Sequence, residues 1–440
     1  MTGTNLASLA PRYTTGRPAP LDYLEACLAR VAVAEPTVQA FTAIDIAGAR
    51  AAAGRSAERW RTGAALSPID GMPVALKDIF ETADLPTGFG SAIFAGWRGD
   101  RDSAIAYALR QAGAIILGKA VTTEFAGAAP GPTRNPHDPA RTPGGSSSGS
   151  AAAVAAGMVP VAIGSQVGGS ILRPASFCGV IGFKPTFGAL NRGGISDNFS
   201  QNCAGTLSSS LADAWAVCHE IACRVGGDPG FPAFAGGPTP APALRSATLA
   251  VLHTAGWATA TPSARAAFAA YLDRLAAQGV TLITASARVA RLEHCIADAT
   301  EVSRGINDWE KLWPFAELDH RDGDRLSADL RAGIAAGRAM TPGEYDALLQ
   351  RRDAMRVALV ALAGEVDACI TLAAPGPAPM GIASTGNPVF NHPASALRCP
   401  ALSLPLLTAE GMPLGVQLLG FPGRDRDLSA VAAGDIGNAL

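Results

Sequence analysis

A chain of 440 residues, 48% hydrophobic and only 16% charged, can bury a large interior and is not a disordered polymer. Its formal net charge of -2 gives no general attraction to nucleic acid or acidic membranes, and no basic run interleaves with aromatics, so the expected partner is a small molecule. The eight cysteines, Cys27, Cys178, Cys203, Cys218, Cys223, Cys295, Cys369 and Cys399, form no CxxC pair and no short disulfide framework, and read mostly as buried thiols.

Residues 1–20 mix Thr, Pro and Arg without the continuous apolar core of a signal peptide, and no apolar run is long enough to span a bilayer, which predicts a cytoplasmic protein. Leu21, Leu24, Leu28 and Val31 recur at helical spacing, and residues 45–62 form an Ala/Arg-rich helix; both are expected to pack at the N-terminal side. Short apolar runs at 72–76, 114–117 and 159–163 alternate with helical stretches at 104–111 and 150–156, the pattern of an α/β sheet. Residues 225–243 are dense in Gly and Pro and predict a surface connection. Strands at 247–253 and 280–283, with a helix at 263–278, then continue the sheet. Thr341-Pro342-Gly343-Glu344 has a capping Thr, Pro at the first helical position and Glu three residues after the cap, which starts a helix running to about residue 363.

The chemistry concentrates between residues 70 and 185. Pro143-Gly144-Gly145-Ser146-Ser147-Ser148-Gly149-Ser150 is a Gly/Ser loop, followed by an Ala-rich run and then by Gly168-Gly169-Ser170-Ile171. By composition alone such a loop is a flexible linker, but Arg141-Thr142-Pro143 leads in and residues 151–156 are apolar, so it caps a buried helix instead. Upstream, Lys77 directly follows the apolar run Pro73-Val74-Ala75-Leu76; burial there favours the neutral amine and lets it act as a base, although a lysine after a strand is more often a solvated charge. One lysine and two serines make a nucleophile relay without histidine.

These motifs, in this order and spacing, resemble the amidase signature family, serine hydrolases with a Ser-cisSer-Lys triad. The flanking Leu117-Gly118-Lys119, Thr123-Glu124-Phe125, residues 131–136, Cys178-Gly179, residues 182–186, 400–405 and 411–417 also look like family landmarks. The resemblance implies an α/β amidase signature fold, a large mixed β-sheet core flanked by helices on both sides. It implies Lys77 as base, Ser146 as bridging serine on a cis peptide and Ser170 as nucleophile. The backbone N–H groups of Val167, Gly168, Gly169 and Ser170 would form the oxyanion hole, glycine letting main chain approach the substrate. Ser147, Gln166 and Arg173 are expected to support the triad, with a purely structural turn role equally expected for Ser147; Asp78 is expected to cap a helix rather than orient Lys77, and Arg134, Asn135 and Cys178 to be structural. No metal or cofactor is called for.

The organisation expected is one domain over 1–440: N-terminal helices at 1–65, a signature core at 70–213, a variable substrate-side subdomain at 225–365, and a C-terminal return to the sheet at 366–425. A homodimer is compatible with such a chain. The sequence departs from the family at the nucleophile, where Gly164-Ser165-Gln166-Val167-Gly168-Gly169-Ser170-Ile171-Leu172-Arg173 stands for the usual Gly-Thr-Asp-Thr-Gly-Gly-Ser-Ile-Arg. An ion pair there is thus lost or rebuilt with Arg173. The departures, with those in 191–207, argue against an A-type component of an amidotransferase. They favour hydrolysis of neutral, aryl-bearing linear amides or carbamates (urethanes), with esters as a side activity. Trp309, Trp313, Phe315, Met380, Phe390 and Leu172 are candidate pocket residues, with ordinary core packing equally expected. A catalytically silent binding protein within a larger assembly is the other alternative. Gly145-Ser146-Ser147-Ser148-Gly149 also matches a G-x-S-x-G elbow with Ser147 as nucleophile and His392 as base, but the three prolines in 135–143 forbid the strand such an elbow requires.

Overall fold

The computed structural model describes Tyr13, residues 19–195 and residues 199–434. The reading of residues 1–20 as lacking a signal core falls almost wholly outside the described residues, as do positions 196–198 of the divergent 191–207 stretch. Eleven strands form one mixed sheet in the order β1-β3-β2-β4-β6-β5-β10-β11-β9-β7-β8. They are β1 (Phe41–Ile44), β2 (Pro73–Lys77), β3 (Ile115–Ala120), β4 (Val161–Gln166), β5 (Ile181–Lys184), β6 (Cys203–Ser208), β7 (Thr248–Val251), β8 (Thr281–Ile283), β9 (Ala368–Leu372), β10 (Ala401–Ala409) and β11 (Met412–Leu419). β2 lies parallel to both β3 and β4, while β4 through β9 run antiparallel neighbour to neighbour, and β9, β7 and β8 are parallel again.

The inner strands β2, β3, β4, β5, β6 and β9 are buried along their whole length because both faces of the sheet are covered there. Side chains alternate between the two covers, as the two-residue period of a strand requires. Val74 and Leu76 of β2, Val161 and Ile163 of β4, Leu249 and Val251 of β7 and Ile370 and Leu372 of β9 belong to one extended cluster, with Leu109, Trp215, Phe268 and Leu428 from helices on that face. Ala75 and Ala162 face the opposite way, into a cluster with Leu24, Leu28, Ala53 and Ala151–Val154. Further along that second face, Ala250 and Cys369 meet Leu292, Val302, Ile306 and Leu359. Helices therefore lie on both faces, and strands from before and after residues 225–243 join the same sheet.

Helices form over Pro20–Val38, Ile46–Arg61, Ala104–Gln111, Ser148–Ala155 and Pro262–Ala277, close to the bounds read from the sequence. The helix Pro342–Val360 starts with Thr341 Oγ1 accepting from Glu344 N at 3.3 Å, and Glu344 Oε2 accepting from Thr341 N at 2.7 Å, the reciprocal cap its sequence predicts. The least family-like stretch, residues 301–340, is helical, in the segments Ala299–Glu310, Leu312–Asp322 and Ala328–Ala339. Among the described residues no helix is long and apolar enough to cross a membrane.

Candidate active site

Strand alternation explains why Lys77 points where it does. It follows Leu76, so it shares a face with Ala75 and projects toward the helix Ser148–Ala155, whose N-terminal end carries the Gly/Ser loop. Its amine is completely buried and lies 2.7 Å from Ser146 Oγ and 2.8 Å from Ser165 Oγ. The Gly145–Ser146 peptide is cis. The loop is tied to the end of β3, with Thr123 N donating to Ser146 O (3.3 Å), Gly149 N to Val121 O (2.9 Å) and Ser148 Oγ to Val121 O (3.3 Å). Ser147 N donates to the Ser170 carbonyl at 3.3 Å, which fastens the serine loop to the Gly168-Gly169-Ser170 turn directly. Lys77 and Ser146, widely separated in the chain, thus meet at the carboxyl end of β2, and the turn that holds Ser170 follows the carboxyl end of the neighbouring parallel strand β4, where open α/β sheets place ligands.

The supporting residues divide the work. Ser147 Oγ donates to Ser165 O (3.3 Å) and accepts from Ser165 N (3.4 Å), so it braces β4 and is fully buried. Gln166 Oε1 accepts from Ile171 N (2.9 Å) and Leu172 N (3.0 Å), satisfying the first amides of the helix Leu172–Cys178, and its Nε2 donates to Ser395 Oγ (3.2 Å). Arg173 Nη2 donates to the Gly145 carbonyl (2.6 Å) and to Thr385 Oγ1 (2.9 Å). Its Nε and Nη1 have no hydrogen-bond partner among the described residues, and burial draws the guanidinium down to about 9. Of the two outcomes foreseen, the ion pair is lost rather than rebuilt: Gln166 supplies neutral caps, and Arg173 holds two neutral acceptors, Gly145 O in the cis loop and Thr385 Oγ1 outside it.

A model of the family described as Amidase matches residues 22–428. The chain belongs to the amidase family. Among curated relatives, the A component of glutamyl-tRNA(Gln) amidotransferase from Chloroflexus aggregans (strain MD-66 / DSM 9485) is 33% identical, over 91% of this chain and 89% of the relative. The same component from Salinispora arenicola (strain CNS-205) is 32% identical over 98% and 96%. Among solved structures, an amidase superposes with a TM-score of 0.85 at 29% identity, covering 98% of each chain. The native peptide amidase from Stenotrophomonas maltophilia gives 0.80 at 25% identity, covering 98% of this chain and 96% of that one.

Several expectations for this amidase need correction. Asp78 does not cap a helix. It follows Lys77 and so turns to the opposite side of the sheet, where its carboxylate pairs with Lys119 of β3 at 3.2 Å and accepts from Gly88 N at 3.1 Å. Burial pushes Asp78 up and Lys119 down despite the pairing. The proposed pocket aromatics do not converge. Phe390 is fully buried against Trp257, Trp309 stacks on Tyr345 at 5.2 Å, and Trp313 and Met380 are largely exposed; Leu172 lies in the core beside Ala250. Phe315 joins a different aromatic group, packed against Phe125 (5.1 Å) and Phe199 (6.3 Å), with Phe94 and Phe89 on the other sides of Phe125. Phe125 is two residues from Thr123, whose amide holds Ser146. No bond among the described residues joins His392 to Ser147; the imidazole is buried, and burial lowers it to about 3. Asn135 binds the carbonyls of Thr142 (3.2 Å) and Phe177 (2.9 Å), and Cys178 that of Pro143 (3.4 Å), both structural as expected.

Sequence reasoning missed Ser165, Thr385 and Ser395. The signal for Ser165 was present: it keeps the hydroxyl of the family's usual threonine two residues beyond the registered pair Leu76 and Ile163. Nothing local marks Thr385 or Ser395, which arrive from more than two hundred residues away.

Proposed function

We propose that this amidase cleaves the carbonyl C–N bond of neutral, aryl-bearing linear amides or carbamates through an acyl-enzyme. Lys77, as the neutral amine, takes the proton of Ser146 while Ser146 takes that of Ser170, whose Oγ attacks the carbonyl carbon. The oxygen that gains charge meets main-chain N–H groups of Val167, Gly168, Gly169 and Ser170. The proton then returns through Ser146 to the departing nitrogen, and a water molecule repeats the sequence to free the acid. The observation that carries this reading is the buried amine of Lys77 held at hydrogen-bond distance from two hydroxyls, one of them that of Ser146.

The aryl preference rests on the absence of a cation at the family's arginine position, where Leu172 is buried. Arg173 is committed to Gly145 O and Thr385 and does not stand in for it. A carboxylate-bearing substrate needs a fixed cation to offset its desolvation.

The curated relatives favour a second reading, an A-type amidotransferase component that uses glutamine together with a partner. Their names support it more strongly than they support an aryl amidase, while the residues at the nucleophile support the free-standing enzyme. Hydrolysis of an anilide, an aliphatic amide, an aryl carbamate, an ester and glutamine by the purified chain separates the two. The aryl reading expects kcat/KM for the anilide or aryl carbamate to exceed that for glutamine by about tenfold or more. Efficient hydrolysis of glutamine alone would transfer the assignment to the amidotransferase.

A further inference from the structure

Residues 388–396 lie directly across the Gly168-Gly169 turn. A β-carbon at Gly168 would stand 3.0 Å from His392 Cε1, and one at Gly169 would stand 2.7 Å from Asn391 Oδ1 and 3.1 Å from Pro388 Cβ. Gly169 thus leaves no room for a side chain unless Asn391 shifts, and at Gly168 the fit against His392 is already tight. Asn391 is itself fixed, its Nδ2 donating to Ala373 O and Gln417 Oε1, each at 2.9 Å, while Gln417 Nε2 donates to Phe390 O at 2.8 Å. From the same segment, Ser395 Oγ donates to the Gly168 carbonyl at 3.0 Å and accepts from Gln166 Nε2 at 3.2 Å.

A peptide unit is planar and trans, so its carbonyl and the next residue's N–H point in opposite directions. Fixing the Gly168 oxygen fixes the Gly169 N–H. The following unit is held in the same way, because Arg173 N donates to the Gly169 carbonyl at 2.9 Å, which sets the Ser170 N–H. Two successive donors of the oxyanion turn thus owe their direction to bonds made on the far side of the main chain. Glycine, with its wide conformational range, does not hold that direction unaided.

We propose that Ser395 is a positioning residue for the oxyanion turn: it anchors the Gly168 carbonyl so that the Gly169 N–H faces the reacting oxygen, and Gln166 sets the direction of its hydroxyl. This rests on the hydrolase reading of Ser170. It also gives a purpose to the amide at position 166, since a carboxylate there has no hydrogen to donate to Ser395 while a glutamine caps the helix and donates at once.

The test compares wild type with Ser395→Ala, Ser395→Thr and Gln166→Glu. For Ser395→Ala, kcat on an anilide falls about tenfold or more with KM within twofold, and the Ki of a trifluoromethyl ketone that forms a tetrahedral adduct rises by the same factor. The Ki of an unreactive amide analogue stays put. Ser395→Thr restores most of kcat by keeping the hydroxyl, and Gln166→Glu moves in the direction of Ser395→Ala. Wild-type kcat and ketone affinity in Ser395→Ala, or an equal loss of ketone and analogue affinity, would overturn the proposal. Amide hydrogen exchange over residues 166–170 provides a readout independent of turnover: it accelerates in Ser395→Ala and not in Ser395→Thr. Should wild type prove inert toward every substrate, the hydrolase reading fails, and unchanged exchange in Ser395→Ala would still reject the positioning role on its own.

Discussion

The two halves of this site are built by different means. On the relay side, side chains bond to side chains: Lys77 to Ser146 and Ser165, all from β2, β4 and the loop between β3 and β4. On the proposed oxyanion side the groups are main-chain amides, and their anchors come from two places: Ser395, in the segment 388–396, donates to the Gly168 carbonyl, and the nearby Arg173 amide donates to that of Gly169. Chemistry carried by side chains must be written into the local sequence as particular residue types. Chemistry carried by the backbone leaves only glycine as its trace, and its support can be placed anywhere the fold brings close.

That contrast makes the relay the side most sensitive to single changes. Lys77→Ala and Ser146→Ala should each lower kcat by about a thousandfold or more, while far-ultraviolet circular dichroism stays unchanged. Because the two act on one proton path, the double variant should be no worse than the poorer single one within a few fold; multiplied losses would break the comparison by giving the relay two independent parts. Ser165→Ala, which removes one of the two hydroxyls on the amine, is expected to cost about tenfold in kcat. An unchanged kcat in that variant would remove Ser165 from the relay.

On the oxyanion side, His392 offers a smaller, pH-dependent effect. Burial depresses its folded-state value from the ordinary 6.5 to about 3, so the unfolded chain binds one more proton than the folded chain between those values. Its neutral form contributes stability that is fully present above pH 6.5 and is lost as pH falls toward 3. Denaturant midpoints measured across that window should fall less steeply for His392→Phe than for wild type, by the slope of one proton. Parallel curves would mean that His392 is not held neutral against the turn.

How much of this was legible follows the same division. Lys77, Ser146 and Ser170 were picked out by the resemblance of three short motifs, in order and spacing, to the family pattern, since residue types alone also allowed a flexible linker and a solvated lysine; of the three, the structure joins the Lys77 amine to Ser146 Oγ. The sheet was legible in its short apolar runs, and Thr341-Pro342-Gly343-Glu344 located a helix start to the residue. Asp78 was misread because its local pattern matches a cap, whereas its partner Lys119 lies on the neighbouring strand. For the aromatics, pocket lining and core packing were weighed equally, and Phe390 and Phe315 are both buried in one core cluster. Within that cluster Phe390 lies beside Gly256 and Phe315 packs on Phe125. Ser395 gave no signal, since a lone serine in an Ala-rich stretch is ordinary.

The central claim is that Ser170 is the nucleophile and that Lys77 and Ser146 activate it. Peptide mass spectrometry after treatment with a fluorophosphonate tests this most directly. The adduct is expected on the peptide holding Ser170 in wild type, much slower in Lys77→Ala, and absent in Ser170→Ala. Stoichiometric labelling of Ser147 in its place, or labelling of Ser170→Ala at the wild-type rate, would contradict the account.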